Sequence, residues 1–325
     1  MPTVWQDLTP DSIFSSVENA LGAKLSNICL KRNSYINRVY ELEREDNAER
    51  FVVKFYRPQR WTPETIMEEH RFLLDLAGNE ITVIPPLAIG GRTLFMNGEI
   101  PFAVFPKKGG RTLDEFDREG WTTIGRILGR VHNIGEGRAS ARRIRWEPEN
   151  ATREHVAIIF EHEFILPDFK KSLTTASDLF IKVAKPLFTD RKFILLHGDC
   201  HKGNLIFRPG EGIYMVDFDD CCIGPAAQDL WLLLPDKVDN SKKELAWFFE
   251  GYEVFRKFDR AELELVPALR GMRLLHYAAW LAVQSKEPDF AVNFPEAGKP
   301  RYWNELIREL QGIVYEELST DPING

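Results

Sequence analysis

Apolar positions in the first hundred residues switch between two periods. Ile13, Val17 and Leu21 recur at helical spacing, with Thr9 as a cap, Pro10 in the first helical position and Gly22 as a stop, so a first helix is expected there. Strand patterns follow at 26–32, 37–43 and 50–56, and a polar turn over residues 44–49 separates the last two. In 50–56 the period of two sets Phe51, Val53 and Phe55 on one face and Val52, Lys54 and Tyr56 on the other. Thr62, Pro63 and Gly78 bracket a second helix, and two more strands fit 92–96 and 101–106.

Lys107-Lys108-Gly109-Gly110 breaks this pattern and predicts a polar, flexible boundary. Beyond residue 118 helical spacing dominates, as in Trp121, Ile124, Leu128 and Val131. Further helices are expected at 152–162, 169–186, 228–235, 241–256, 260–285 and 299–318, while 192–217 reads as short strands and tight turns. The expected class is α+β: a small antiparallel-sheet lobe over 1–106 and a larger, mostly helical lobe over 107–325.

Composition narrows the function. The 325 residues carry 44% hydrophobic and 28% charged residues, which fits a globular chain rather than a disordered one. A net charge of -7 argues against bulk nucleic-acid binding, which needs a concentrated basic face. No run approaches the roughly 18 apolar residues of a membrane span. The start, MPTVWQDLTPDSIF, lacks the basic and apolar regions of a secretory signal, so a cytoplasmic location is expected, without a membrane partner. Cys29, Cys200, Cys221 and Cys222 have no zinc spacing and read as reduced thiols. Arg138, Arg142, Arg143 and Arg145 read as a solvated face, and the aromatics Tyr277, Trp280, Phe290, Phe294, Tyr302 and Trp303 as mostly core.

The chemistry concentrates in Leu195-Leu196-His197-Gly198-Asp199-Cys200-His201-Lys202-Gly203-Asn204. A hairpin signal follows: Leu205 to Arg208, the turn Pro209-Gly210-Glu211-Gly212, then Ile213 to Val216. A symmetric four-residue turn would set 205 opposite 216, with Asn204 and Asp217 flanking one end. An amide oxygen beside a carboxylate suits Mg²⁺, which prefers hard oxygen ligands and takes others from phosphates. Asp199 lies five residues before Asn204, the spacing that links the base and the metal-binding Asn of protein kinases. One carboxylate can then face an attacking hydroxyl while the amide holds a metal on phosphate.

HGDCHKGN followed by VDFDD resembles the aminoglycoside phosphotransferase and choline kinase superfamily. With NSYINRVY, RFVVKFYRPQRW, EEHRFLLDL, FAVFP, LGRVH, GPAAQDLWLLL and MRLLHYAAWL, the chain resembles a family of bacterial stress-response Ser/Thr protein kinases within it. The resemblance implies a bilobal, protein-kinase-like fold and an ATP- and Mg²⁺-dependent transfer to a protein Ser or Thr, by a monomer. It makes Asp199 the catalytic base, Asn204 and Asp217 the Mg²⁺ ligands, and Lys54 the phosphate-holding cation. A cleft Lys needs an acidic partner. Glu69 shares the face of Ile66 and Leu73, whereas Glu68 is rotated away, so Glu69 is the expected partner. Ser34, in the gly-free loop Asn33–Asn37, would approach phosphate, and backbone at Phe105 to Lys107 would read adenine. His201 would assist near the γ-phosphate or order the turn.

Some features depart from the kinase pattern. Asp217-Phe218-Asp219 stands where D-F-G would, and about a dozen residues separate Asp217 from Asp229, leaving no room for a long activation loop. Asp229 would brace the catalytic loop or complement a helix N-terminus. A small-molecule hydroxyl kinase is the near alternative; an ATP-binding pseudokinase and a metal-dependent hydrolase are more distant.

Overall fold

The computed structural model describes residues 5–138, 140 and 142–318; the first four residues of the start quoted above lie outside them. In chain order the elements are α1 (Pro10–Leu21), β1 (Leu25–Arg32), β2 (Arg38–Arg44), β3 (Arg50–Phe55), α2 (Pro63–Gly78), β4 (Phe95–Asn97), β5 (Ile100–Pro106) and α3 (Arg118–Glu136). Then come α4 (Pro148–Glu161), α5 (Pro167–Ala184), β6 (Ile194–Leu196), β7 (Leu205–Arg208), β8 (Gly212–Met215), β9 (Cys222–Gly224) and α6 (Ala227–Trp231). The chain closes with α7 (Lys242–Tyr252), α8 (Val266–Gln284), α9 (Phe290–Asn293) and α10 (Pro300–Gly312).

Two compact units organise these elements. The first holds the chain up to Gly135 with Asp199–Cys221 and Ala246–Arg256; the second holds Glu136–Gly198, Cys222–Leu245 and the chain from Lys257.

In the first unit, five strands form an antiparallel sheet in the order β1-β2-β3-β5-β4. The two-residue period decides what each face buries. Phe51, Val53 and Phe55 pack with Ile13 and Val17 of α1, which is capped by Thr9 and ended by Gly22. On the opposite face Tyr56 and Ala103 pack with Ile66 of α2. Lys54 pairs in register with Ala103, so its side chain leaves the sheet on the face that α2 covers. α3 packs against residues 246–252 with backbone nearly touching backbone. A methyl built on Gly251 would stand 1.9 Å from the Thr122 carbonyl oxygen.

The hairpin β7–β8 also belongs to the first unit, and its register corrects the expectation. Leu205 faces Met215 and Arg208 faces Gly212, so three residues close the turn, not four. Positive φ at Gly210 (80°) and Gly212 (94°) permits the tighter closure. Asn204 therefore opposes Val216, whose N–H donates to the Asn204 carbonyl at 3.0 Å, and Asp217 is the next residue.

In the second unit, α4 and α8 pack together, α10 and α5 pack together, and the short pair β6–β9 precedes and follows residues 197–221 in sequence. Trp303 and Leu310 of α10 are fully buried. The helix expected at 228–235 ends at Trp231, because Pro235 disfavours helical backbone in the residue before it. Residues 260–265 form a 3₁₀ turn rather than the start of α8, and 313–318 form a π turn after α10. Two surface expectations change. Arg143 is buried at 5% exposure, and Tyr277, stacked on Trp280 with ring centroids 5.7 Å apart, is exposed.

Candidate active site

The site begins at β3. Lys54, its side chain only 12% exposed, reaches Asp217 Oδ1 at 3.1 Å and also bonds Asp219. Glu69 sits on α2 at 1% exposure, on the face that the helical period marks as inward, and Glu68 is half-buried. Burial alone would pull the Lys54 pKa down, and it is the largest single influence. The carboxylates of Asp217, Asp219 and Glu69 together outweigh it and raise the pKa above its ordinary value. Lys54 is thus held as a fixed cation.

Asp219 is the residue that the sequence reading missed. It is 4% exposed. Asn37 donates from Nδ2 to its Oδ2 at 2.5 Å, and Arg60 lies 3.5 Å from the same oxygen. Arg60 also bonds Asp220 at 2.5 Å, and Asn37 Oδ1 accepts the Arg57 N–H at 3.1 Å. Burial would raise the Asp219 pKa, but Lys54, Arg60 and the hydrogen bonds from Lys54 and Asn37 hold it well below the usual carboxylate range. A signal existed in the sequence. Asp217 and Asp219 are two residues apart, close enough to face one cation, but D-x-D does not say which acid is buried.

Backbone geometry sets Asp217 apart. Its φ of 63° is a left-handed conformation that few residues other than Gly adopt. Its side chain is 55% exposed, while the next residue, Phe218, is buried against Phe72 of α2 with ring centroids 5.8 Å apart. The fold anchors the phenyl ring and leaves the carboxylate accessible.

Two sets of hydrogen bonds shape the turn over residues 197–204. In the second unit, Asp229 of α6 accepts the His197 N–H at 2.9 Å and the Gly198 N–H at 2.7 Å, and Gln228 Nε2 donates to the Gly198 carbonyl at 2.9 Å. Asp229 is fully buried, so it acts as a brace. In the first unit, Asn204 Nδ2 donates to the Asp199 carbonyl at 2.9 Å, and the His201 N–H donates to the same oxygen at 3.0 Å. His201 Nδ1 accepts the Gly203 N–H at 3.0 Å, which leaves the neutral ring's proton on Nε2, 3.6 Å from Asp199 Oδ2. His201 both orders the turn and faces Asp199.

The donor chemistry fits a hard divalent cation. The bond from Asn204 Nδ2 commits the nitrogen and leaves the amide oxygen as donor, and Asp217 adds an accessible carboxylate. Among the described residues no cluster of three or more His, Cys, Asp and Glu could hold a metal by itself. A donor pair of one amide oxygen and one carboxylate suits an ion such as Mg²⁺, which takes most of its ligands from phosphate and water.

Ser34 is half-buried on the connection between β1 and β2. Phe105 packs beside Tyr56, Ile66 and Ala103, and its ring meets His70 edge-on at 6.3 Å. Lys107 is exposed, and its ammonium bonds Glu41, which Arg32 and Arg50 also pair. Glu41 is 1% exposed. Burial would raise its pKa, but the bonds from Arg32 and Lys107 bring it down to about 2. Among the described residues, no helix is long and apolar enough to cross a membrane.

Residues 30–266 match the phosphotransferase enzyme family. The chain is 38% identical to stress response kinase A of Escherichia coli K12 over 304 residues, covering 92% of this chain and 90% of that protein. It is equally similar, at 38% and the same coverage, to the serine/threonine protein kinase RdoA of Salmonella typhimurium. Among solved structures, an amicoumacin kinase bound to AMP-PNP, Ca²⁺ and amicoumacin superposes with a TM-score of 0.74 at 18% identity, over 98% of this chain and 97% of that one. A microcompartment-associated aminopropanol kinase gives a TM-score of 0.62 at 20% identity, over 95% and 98%. These two likenesses establish the kinase-like α+β fold. With the family match spanning most of the chain and its relatives aligned almost end to end, the chain belongs to the phosphotransferase enzyme family, among the stress response kinases.

Proposed function

We propose that the protein is an ATP- and Mg²⁺-dependent kinase that phosphorylates Ser or Thr in proteins as part of a stress response. The observation that carries this reading is the grouping of Asp199, Asn204 and Asp217 on one turn and hairpin, with Lys54 on Asp217. The names of the relatives at 38% identity support the protein acceptor.

In this reading Asp199 orients the acceptor hydroxyl and takes its proton as the new O–P bond forms and ADP departs with the bonding electrons. Asn204 and Asp217 would hold Mg²⁺, which offsets charge on the β- and γ-phosphates. Lys54 stabilises the same phosphates, and Glu69 and Asp219 keep it charged and oriented. Ser34 and its neighbouring N–H groups cover the phosphates, backbone at Phe105 and Lys107 reads adenine, and His201 steadies Asp199. The strand-rich 1–106 lobe holds nucleotide and the 107–325 lobe holds the acceptor, in a cytoplasmic monomer.

The short segment between Asp217 and Asp229 favours a second reading, a small-molecule hydroxyl kinase, because it offers no extended platform for a peptide. Incubation with γ-labelled ATP, Mg²⁺ and a generic protein acceptor separates the two. The first reading expects acid-stable label on Ser or Thr. No label on protein, with ATP binding intact, transfers the assignment to a small alcohol.

A further inference from the structure

Residues of the second unit line an open cavity of about 600 Å³. That volume is of the size that takes a small organic ligand. Trp231, Val238, Leu263 and Pro267 supply apolar wall. Four carboxylates, Asp236, Asp239, Glu264 and Glu317, line it against two cations, Lys237 and Arg270. Both cations are directed to the same acid. Arg270 bonds both oxygens of Glu317, at 3.0 and 3.1 Å, and Lys237 lies 3.6 Å from it. Glu264 is 3.8 Å from Arg191 but 74% exposed, and Asp236 bonds the Lys237 N–H and the Asn240 amide. Asp239 is exposed and, among the described residues, has no ion-pair partner. The cavity therefore presents an indole and aliphatic wall beside four carboxylates and two cations, and both cations pair with Glu317, which leaves the lining net negative.

One wall residue connects to the catalytic turn. Trp231 Nε1 donates to Gln228 Oε1 at 3.2 Å, and Gln228 Nε2 donates to the Gly198 carbonyl at 2.9 Å. Gln228 is fully buried, so no water replaces a lost bond there without rearrangement. Gly198 holds a φ of 84° and immediately precedes Asp199 in the chain. A molecule that moves the Trp231 ring moves the partner of Gln228, and through it the peptide that leads into Asp199.

We propose that this cavity is a regulatory site for a small organic cation with a flat apolar body, read by the catalytic turn through Trp231, Gln228 and Gly198. The effect on turnover rests on the reading of Asp199 as the catalytic residue; binding does not. The probes are tryptamine and phenethylamine, which carry no alcohol to phosphorylate, with indole-3-propionate and 3-phenylpropionate as partners of opposite charge. Calorimetry on the full chain should show both amines binding at least tenfold more tightly than the acids. Asp239→Lys should weaken the amines at least fivefold without changing the melting temperature. Saturating tryptamine should alter amide exchange at residues 197–198 and change phosphotransfer threefold or more. Trp231→Phe should bind the amine yet lose both responses. Equal binding of amines and acids, binding indifferent to Asp239→Lys, or no binding overturns the site. Binding with unchanged exchange at 197–198 overturns its regulatory role. Because exchange needs no turnover, an inactive protein would sink the kinase reading and still decide this one.

Discussion

At the residue scale, the site turns on how one cation is shared. Lys54 has acids on several sides, and Asp219 is buried with it, bonded to it and fixed by Asn37 and Arg60. Removing one member of a buried ionic group leaves the others uncompensated. Asp219→Ala should cost about 3 kcal/mol of stability, read from the midpoint of urea unfolding; a loss below roughly 1 kcal/mol, the range of surface pairs, would show that the pair is not buried in solution. Glu41 makes a pH prediction. Its folded pKa, about 2, lies below the ordinary carboxylate value, so its contribution to stability is fully present above that ordinary value. That contribution is lost as pH falls towards the folded value. Glu41→Gln should therefore narrow the difference from wild type between pH 4.5 and 2, measured by denaturation at each pH. A constant difference across that window would contradict the assignment. Sequence reading reached Glu69 because a helix repeats and its inward face is marked by Ile66 and Leu73. It did not reach Asp219 or Glu41. Their importance comes from partners distant in sequence, which no local period records.

At the scale of elements, caps and periods were the legible part. Thr9, Gly22 and Thr62 mark helix ends where the structure has them, and the alternation in β3 puts Phe51, Val53 and Phe55 in the core. The β7–β8 register was not legible, since two glycines with positive φ allow either a three- or a four-residue turn. Close approach of helices was equally hidden. Gly251 reads as a helix-weakening residue, yet it lets α3 come within reach of residues 246–252. Gly251→Ala gains helix propensity, which favours it by up to about 1 kcal/mol. The clash with the Thr122 carbonyl should outweigh this and leave the variant less stable by about 1–3 kcal/mol. A variant more stable than wild type in chemical denaturation would show that the approach is looser than described.

At the scale of the molecule, the chain is a phosphotransferase with a kinase-like fold, and both were legible because the chemistry-bearing residues are close in sequence. Asp199, Asn204 and Asp217 fall within one turn and hairpin, so their spacing carries geometry. The acceptor is different. Recognition of a protein or a small alcohol depends on surface spread across many helices, and fold does not specify it. The central claim is that Asp199 drives transfer while other residues hold the nucleotide. Its most direct test is to compare Asp199→Ala with wild type for Mg²⁺-ATP affinity and for the rate of phosphoryl transfer. The expected result is a dissociation constant within about twofold of wild type and a rate lower by about 10²–10⁴, the usual worth of a positioned acid or base. Transfer at an undiminished rate with the carboxylate removed would contradict it.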